Sequence, residues 1–249
     1  MRFKSILIVG IIIGVLIFLE TRNSPSHNQP DSEVQPTTTL EPTQKLTGTQ
    51  TSWFIVHDIS KLSLHSNVIN KLSAIDFKEQ NNCASIINGG FYDENDEHIG
   101  LFIEDGKQIQ KEQSNSLFNG YLSASSRTAI ISTDRPTGPR FALQTGPILI
   151  ESSGTQTLKL MRDEKARRMV AGITKDGNVI FMTFYDATNL TSGPNLVELP
   201  QLVEDLNKKN NLNIVDAINL DGGNHSAFIS DEVQLTDVQT PGSFFCVKN

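Results

Sequence analysis

Beyond its first fifty or so residues, the chain alternates short apolar runs with polar turns, and few stretches keep helical spacing. Residues 53–59, opening on Trp53, are rich in aromatic and β-branched side chains and predict a first strand. Val68, Leu72 and Ile75 recur at helical spacing and predict a helix over about 67–80. Residues 84–87 form a short continuous apolar run of the kind a buried strand shows. Runs at 101–104 and 107–110 flank Asp105-Gly106, the signature of a tight hairpin. Lys175-Asp176-Gly177 marks a second hairpin, between 168–174 and 179–185. Further strands are predicted at 128–131, 141–143, 148–151, 216–220, 227–229 and 244–247. A helix is predicted over 196–209, with Leu196, Leu199, Val203 and Leu206 on one face. Pro200 costs that helix a backbone hydrogen bond unless it begins later. Many strands with few helices predict an α+β fold, a single domain built on a mixed β-sheet. No repeat of solenoid or propeller length is present.

The amino terminus breaks this pattern. Arg2 and Lys4 precede an uncharged apolar run over residues 6–19. That is shorter than the roughly 20 residues that span a bilayer comfortably, although flanking residues can extend it. An uncleaved membrane anchor and a cleavable signal peptide both fit. No small-x-small cleavage site follows Leu19, and no cysteine follows it to carry a lipid. Either way the rest of the chain is expected outside the cytoplasm. Over residues 20–52, Pro25, Pro30, Pro36 and Pro42 interrupt a polar stretch without an aromatic side chain. Such a segment cannot bury enough apolar surface to offset its ordering entropy, and a disordered linker is expected. The expected organisation is an anchor over 1–19, a linker over 20–52 and one domain over 53–249.

Composition narrows the partners. A net charge of -7 and a pI near 5.2 argue against nucleic acid, which asks for a basic face. Cys83 and Cys246 are the 2 cysteines; export permits a disulfide between them, and two buried thiols are the alternative. Their spacing does not suggest zinc, and the 5 histidines show no His-Glu-x-x-His pattern. The acidic turn at 93–98 lacks the glycine spacing of a calcium loop and reads as a solvated turn. No cofactor or metal is expected.

Two strand ends carry the chemical signal. Ser85-Ile86-Ile87 leads into Asn88-Gly89-Gly90-Phe91, and Ala217-Ile218-Asn219-Leu220 leads into Asp221-Gly222-Gly223-Asn224. In each, an apolar strand delivers a polar side chain and then two glycines. Glycine permits a turn at positive φ and a close approach of backbone amides to a ligand oxygen. A plain turn explains either one alone; the pair suggests a site.

These motifs, with Gly100-Leu101-Phe102-Ile103, Gln144-Thr145-Gly146-Pro147-Ile148-Leu149-Ile150 and the segment 168–172, occur in an order that resembles the phosphodiester glycosidase family. The resemblance covers about residues 53–247. It implies hydrolysis of a sugar 1-phosphodiester, generally outside the cytoplasm, with a phosphate-linked glycan as substrate and the membrane met through the anchor. The family usually has Gly or a small residue and then Ser after the Asp-Gly-Gly motif. Here Asn224-His225-Ser226 stands there, with His225 bulkier than the pattern. Met169 likewise replaces a small hydroxyl residue after the arginine.

Because a phosphodiester is an acidic leaving group, the reaction asks chiefly for a carboxylate and a way to hold the phosphate. Asp221 is the first carboxylate candidate, with capping of its own turn as the competing role. Arg168 is the phosphate candidate through its planar fork, with Arg167 on the opposite strand face. Asn88, Asn219, Gly89, Gly90, Gly222, Gly223, His225 and Ser226 are the remaining substrate-binding candidates. Glu198 matches a family position but also completes a capping box with Asn195. Asp186, at a strand end, is a weaker carboxylate. Ser226 lacks a nucleophile elbow, so no triad is read from it. The alternative function is a surface glycan-binding module that kept the fold and lost catalysis, a drift that His225 would fit.

Overall fold

Short strands joined by tight turns build residues 48–249, the part that the computed structural model describes. The first half holds β1 (Thr49–Val56), β2 (Leu62–Ser66), helix α1 (Ala74–Gln80), β3 (Ser85–Asn88), β4 (Phe102–Glu104) and β5 (Lys107–Gln110). Next come β6 (Gly120–Ala124), β7 (Ala129–Ser132), β8 (Phe141–Thr145), β9 (Ile148–Glu151) and β10 (Gly154–Thr155). The remainder is β11 (Arg168–Thr174), β12 (Val179–Asp186), α2 (Leu199–Asn210), β13 (Ile214–Asn219), β14 (Phe228–Ile229), β15 (Gln234–Leu235) and β16 (Ser243–Val247).

The strands form three sheets, in the orders β1-β12-β11-β13-β9-β10, β15-β14-β3-β16-β2 and β5-β4-β8-β6-β7. Every pairing among the described strands is antiparallel, which corrects the expected mixed sheet. Strand direction depends on the partner chosen, and the hydrophobic pattern of one strand does not encode it. The inner faces of all three sheets share one core, through residues such as Met169, Phe181, Ile218, Ile87, Phe245, Phe102 and Phe141. Helix α2 covers the outer face of the six-stranded sheet with Leu199, Val203 and Leu206. Buried on both faces, β12 reads as a continuous apolar run rather than an alternation. Helix α1 covers the sheet that contains β3, through Ala74 and Phe77.

Both hairpins form as expected. Asp105 and Gly106 have φ of 47° and 75°, so both central residues take the positive values a tight primed turn requires. Pro200 is accommodated because Leu196–Glu198 form a single 3-10 turn and α2 starts at Leu199, leaving the proline in the first turn.

Three expectations change. The helix expected over 67–80 is only Ala74–Gln80, because the buried Asn67 carboxamide bonds both backbone groups of Leu72 and the carbonyl of Pro241, folding that segment into a loop. Ser73 then caps the helix, accepting from the Asp76 amide at 3.2 Å. The strands β2, β6, β10 and β15 were not expected. The first strand begins at Thr49, inside the expected linker, because Thr49 through Ser52 pair with Asp186 through Thr183. The apolar run at 6–19 and most of the linker lie outside the described residues. Among the described residues no helix is long and apolar enough to cross a membrane.

Cys83 and Cys246 are joined by a disulfide, settling the open alternative. It closes a sequence separation of 163 residues and ties the end of α1 to β16. In the chain-entropy picture such a loop contributes up to about 5 kcal/mol. Reduction should therefore lower the melting midpoint by roughly 5–15 °C, and non-reducing intact mass should be about two hydrogens low. Free alkylation of both cysteines in protein from its native compartment would contradict the bond. A fragment of residues 48–249 should melt cooperatively, and one starting at Trp53 should melt lower through loss of the Thr49–Ser52 pairings. Equal midpoints would mean that this part of β1 contributes nothing.

Candidate active site

The two glycine-bearing strand ends belong to different sheets, and Asn88 joins them. Its carboxamide oxygen accepts the Ala227 amide at 3.0 Å, while its nitrogen donates to the carbonyls of Asp221 at 2.8 Å and Gly89 at 3.2 Å. The Asp221 amide donates to the Gly89 carbonyl at 3.1 Å. The buried Asn88 side chain is thereby spent on backbone groups and is unavailable to the sugar hydroxyls expected of it.

The glycines serve this joint by close approach. A Cβ on Gly89 would lie 2.3 Å from Ser243 Oγ, one on Gly90 2.8 Å from Leu143, and one on Gly222 2.5 Å from the Arg167 carbonyl. Of the four, only Gly223 has a positive φ, at 64°. The expected role in admitting a ligand oxygen therefore gives way to packing at the other three.

Asp221 emerges from this joint into an open cleft of about 470 Å³, lined also by Phe91, Tyr92, Ile99, His225 and Gln239, with Asp93, Glu94 and Asp96 at its lip. Its Oδ1 accepts the Gly222 amide at 2.8 Å. Burial of the carboxyl pushes its pKa up to about 7, against the smaller lowering effect of that hydrogen bond. Tyr92 Oη lies 2.6 Å from the Thr240 carbonyl and 2.5 Å from Nδ1 of His225. Burial, and then the negative charges of Asp221, Asp96 and Asp237, push the Tyr92 phenol up to about 12. Phe91 stacks on Phe118 with ring centroids 4.5 Å apart. Among the described residues no lysine or arginine lines the cleft. Among the described residues no group of three or more His, Cys, Asp or Glu side chains is arranged to hold a metal ion.

Of the expected site residues, Asp221 and His225 share this cleft; most of the others are engaged elsewhere. Arg168 lines a separate cleft of about 690 Å³ with Asp163, Glu164 and Leu196. Its guanidinium donates to Pro194 O at 3.0 Å, to Asp163 Oδ1 at 3.2 Å and to the Glu164 carbonyl. Asp163 in turn accepts the amides of Leu196 and Val197, so Arg168 fixes a helix start rather than presenting a free fork to a phosphate. As alternation requires, Arg167 goes the other way. It is buried under the 222–226 turn, donating to Ser226 Oγ at 2.9 Å, to the Ser226 carbonyl and to Thr236 O at 2.9 Å.

Ser226, which also donates to Gly223 O at 2.6 Å, is buried and engaged with Arg167. Asn219 donates to Gly146 O at 3.0 Å from a buried position beneath the cleft. Glu198 is exposed and accepts the Asn195 amide at 2.8 Å, the capping arrangement. Asp186 accepts both the amide and the hydroxyl of Thr188 at 2.7 Å, and these bonds hold its carboxyl below the usual range; it closes a turn away from the cleft. Tyr92, Arg167 and the segment 236–240 were missed. Tyr92 directly follows the Asn-Gly-Gly-Phe motif, and that adjacency was the one available signal.

A three-sheet antiparallel scaffold thus presents a half-buried carboxyl just beyond the end of β13. The family profile for phosphodiester glycosidases matches residues 81–245, and the chain belongs to that family. Among solved structures, the catalytic domain of the zebrafish N-acetylglucosamine-1-phosphodiester alpha-N-acetylglucosaminidase is 15% identical, covers 85% of each chain and has a TM-score of 0.60. A hypothetical protein from Synechocystis is 13% identical over 79% of this chain and 56% of its own, with a TM-score of 0.49. No curated protein sequence matches significantly.

The Asp221 shift has a testable sign. A carboxyl whose folded pKa is raised from 3.8 to about 7 favours the native state while protonated, and that contribution is lost as pH rises through about 7. Asp221→Asn cannot ionise, so its melting temperature should exceed wild type at about pH 8.5, with the difference shrinking toward about pH 5. A difference independent of pH would show that the carboxyl is not perturbed.

Proposed function

We propose that this protein hydrolyses the bond between the anomeric carbon of a sugar and a phosphodiester, in a glycan outside the cytoplasm. The observation that carries the reading is Asp221, whose backbone is held by the Asn88 joint and whose carboxyl lines a cleft with aromatic walls. Phe91 and Tyr92 suit the apolar face of a sugar ring. Loss of a phosphodiester leaves positive charge on the anomeric carbon, and a carboxylate beside that carbon stabilises it or activates water. Asp93, Glu94 and Asp96 add negative potential at the lip, which favours the developing cation and repels the departing phosphate. The phosphate would then point to solvent, consistent with the commitment of Arg168 elsewhere. The apolar run at 6–19 and the polar stretch after it would hold the domain at a membrane surface.

The absence of lysine and arginine from the cleft also favours a second reading, in which the same cleft binds an uncharged glycan without cleaving it. Turnover separates the two. The full-length chain should release free sugar from at least one member of a panel of sugar 1-phosphodiesters. Asp221→Asn should lower kcat about a hundredfold or more while leaving KM within a few-fold. A folded Asp221→Asn variant with near-normal turnover would remove Asp221 from the reaction. Binding of the sugars by wild type with no turnover would favour the binding module.

A further inference from the structure

His225 is one of the residues by which the chain departs from its family's pattern, and the structure builds a support for it. The Thr240 carbonyl can only accept a hydrogen bond. At 2.6 Å from Tyr92 Oη it must receive the phenolic proton, since otherwise two lone-pair-bearing oxygens would face each other. The Tyr92 oxygen is then an acceptor toward His225, so Nδ1 of His225 carries the hydrogen across the 2.5 Å contact. When the ring is neutral, its lone pair is therefore on Nε2. No protein group among the described residues hydrogen-bonds Nε2, and His225 lines the same cleft as Asp221.

The supports of this relay are themselves fixed. The Tyr92 ring lies against Gly242, where an added Cβ would come within 2.5 Å of Cδ1. The amides of Val238 and Gln239 donate to the Asn224 carbonyl at 3.0 and 2.9 Å, lacing the segment that supplies Thr240 to the turn that supplies His225. The Asp237 carboxylate accepts the Ala74 amide at 2.9 Å, anchoring that segment to α1. The titratable groups around the ring are Tyr92, Asp221 on its own turn, Asp93, Glu94 and Asp96 on the lip, and Asp237 beside Tyr92.

We propose that His225 Nε2 accepts the proton of the attacking water in this cleft, and that Tyr92 with the Thr240 carbonyl is the positioning pair that keeps His225 in the accepting tautomer. This rests on the hydrolytic reading above. In the step, a water O–H bond breaks and its proton passes to Nε2. The water oxygen bonds to the anomeric carbon, and the bond from that carbon to the phosphodiester oxygen breaks, with its electron pair leaving on the phosphate. Asp221 stabilises the positive charge on the carbon. Nε2 later returns its proton to solvent.

The test joins a spectrum to kinetics, both on the full-length chain. In ¹⁵N-labelled wild type, two-bond nitrogen–proton correlation should show neutral His225 protonated on Nδ1 and bare on Nε2. Tyr92→Phe keeps the ring but removes the acceptor, and should give a mixture of tautomers with a roughly tenfold fall in kcat. His225→Asn keeps a donor near the Nδ1 position and deletes Nε2. It should lower kcat about a hundredfold with KM within a few-fold, and remove one ionisation from the acid limb of the pH profile. A wild-type ring protonated on Nε2 would overturn the proposal. So would a His225→Asn variant that raises KM alone and keeps the pH profile, which would make Nε2 a partner for a sugar hydroxyl. In either case, turnover by wild type with loss of kcat in Asp221→Asn would leave the hydrolytic reading standing. No turnover by wild type on any sugar 1-phosphodiester would remove the reaction itself, and the base role with it.

Discussion

One buried carboxamide holds the reactive end of the molecule together. Asn88 sits at the last position of its strand, and through Asp221, Gly89 and Ala227 it fastens the end of the β3 sheet to the end of the β13 strand in another sheet. Three antiparallel sheets that share a core need such ties, because apolar packing between them is non-directional and tolerates sliding. The third sheet is fastened at the same end, where Thr145 Oγ1 donates to the Asn219 carbonyl at 2.8 Å and Leu143 fills the space beside Gly90. A buried amide left unpaired costs roughly 1–3 kcal/mol, so each of these bonds also penalises any register that breaks it. The side chain at the cleft mouth is thus placed by bonds from three directions.

This joint accounts for several residues that look catalytic along the chain. The polar residues and glycines around the site hold its shape so that one half-buried carboxyl lines the cleft. Gly222 admits the Arg167 carbonyl, Gly223 donates to that same carbonyl at 2.8 Å, and the Arg167 guanidinium then satisfies Ser226 and Thr236. A buried arginine whose Nε and Nη2 donors reach oxygens of that turn and of Thr236 acts as a strut beneath it. Its neighbour Arg168 does the same for the start of α2 by way of Asp163. Adjacent arginines on one strand therefore serve opposite faces, and neither is in the Asp221 cleft.

Much of the fold was legible because local chemistry dictated it. Asp105-Gly106 and Asp176-Gly177 fixed two hairpins, and the spacing of Leu199, Val203 and Leu206 fixed a helix face. What was not legible depended on distant partners. Val68, Leu72 and Ile75 have helical spacing, yet Asn67 reaches across to Pro241 and turns the chain before α1 can begin. The Thr49–Ser52 segment looks like polar linker and becomes strand only because β12 offers it an edge. Within the site, Asp221 and the paired glycines were visible from their repetition. Tyr92 and Thr240 were not, because they are 148 positions apart and only the fold brings the phenol to that carbonyl.

The electrostatics of the cleft decide which end of a substrate it can hold. A phosphate group set against Asp221, Asp93, Glu94 and Asp96 would meet like charge, while Lys71 is paired with Asp96 at 2.7 Å. A basic cleft would stabilise the ground-state phosphodiester and the transition state about equally, and uniform binding does not speed the chemical step. An acidic cleft acts differently. It is indifferent to a neutral sugar, favours the positive charge that appears only as the bond breaks, and pushes the anion outward. Burial pushes the Asp221 pKa up to about 7. A group half ionised near neutrality can serve as carboxylate in one step and regain a proton in the next. A second acceptor, fixed in one tautomer and partly exposed, would relieve Asp221 of taking the water's proton. On the proposed reading, the bulky His225 in place of a small residue would add that acceptor, held in place by its own tyrosine and carbonyl.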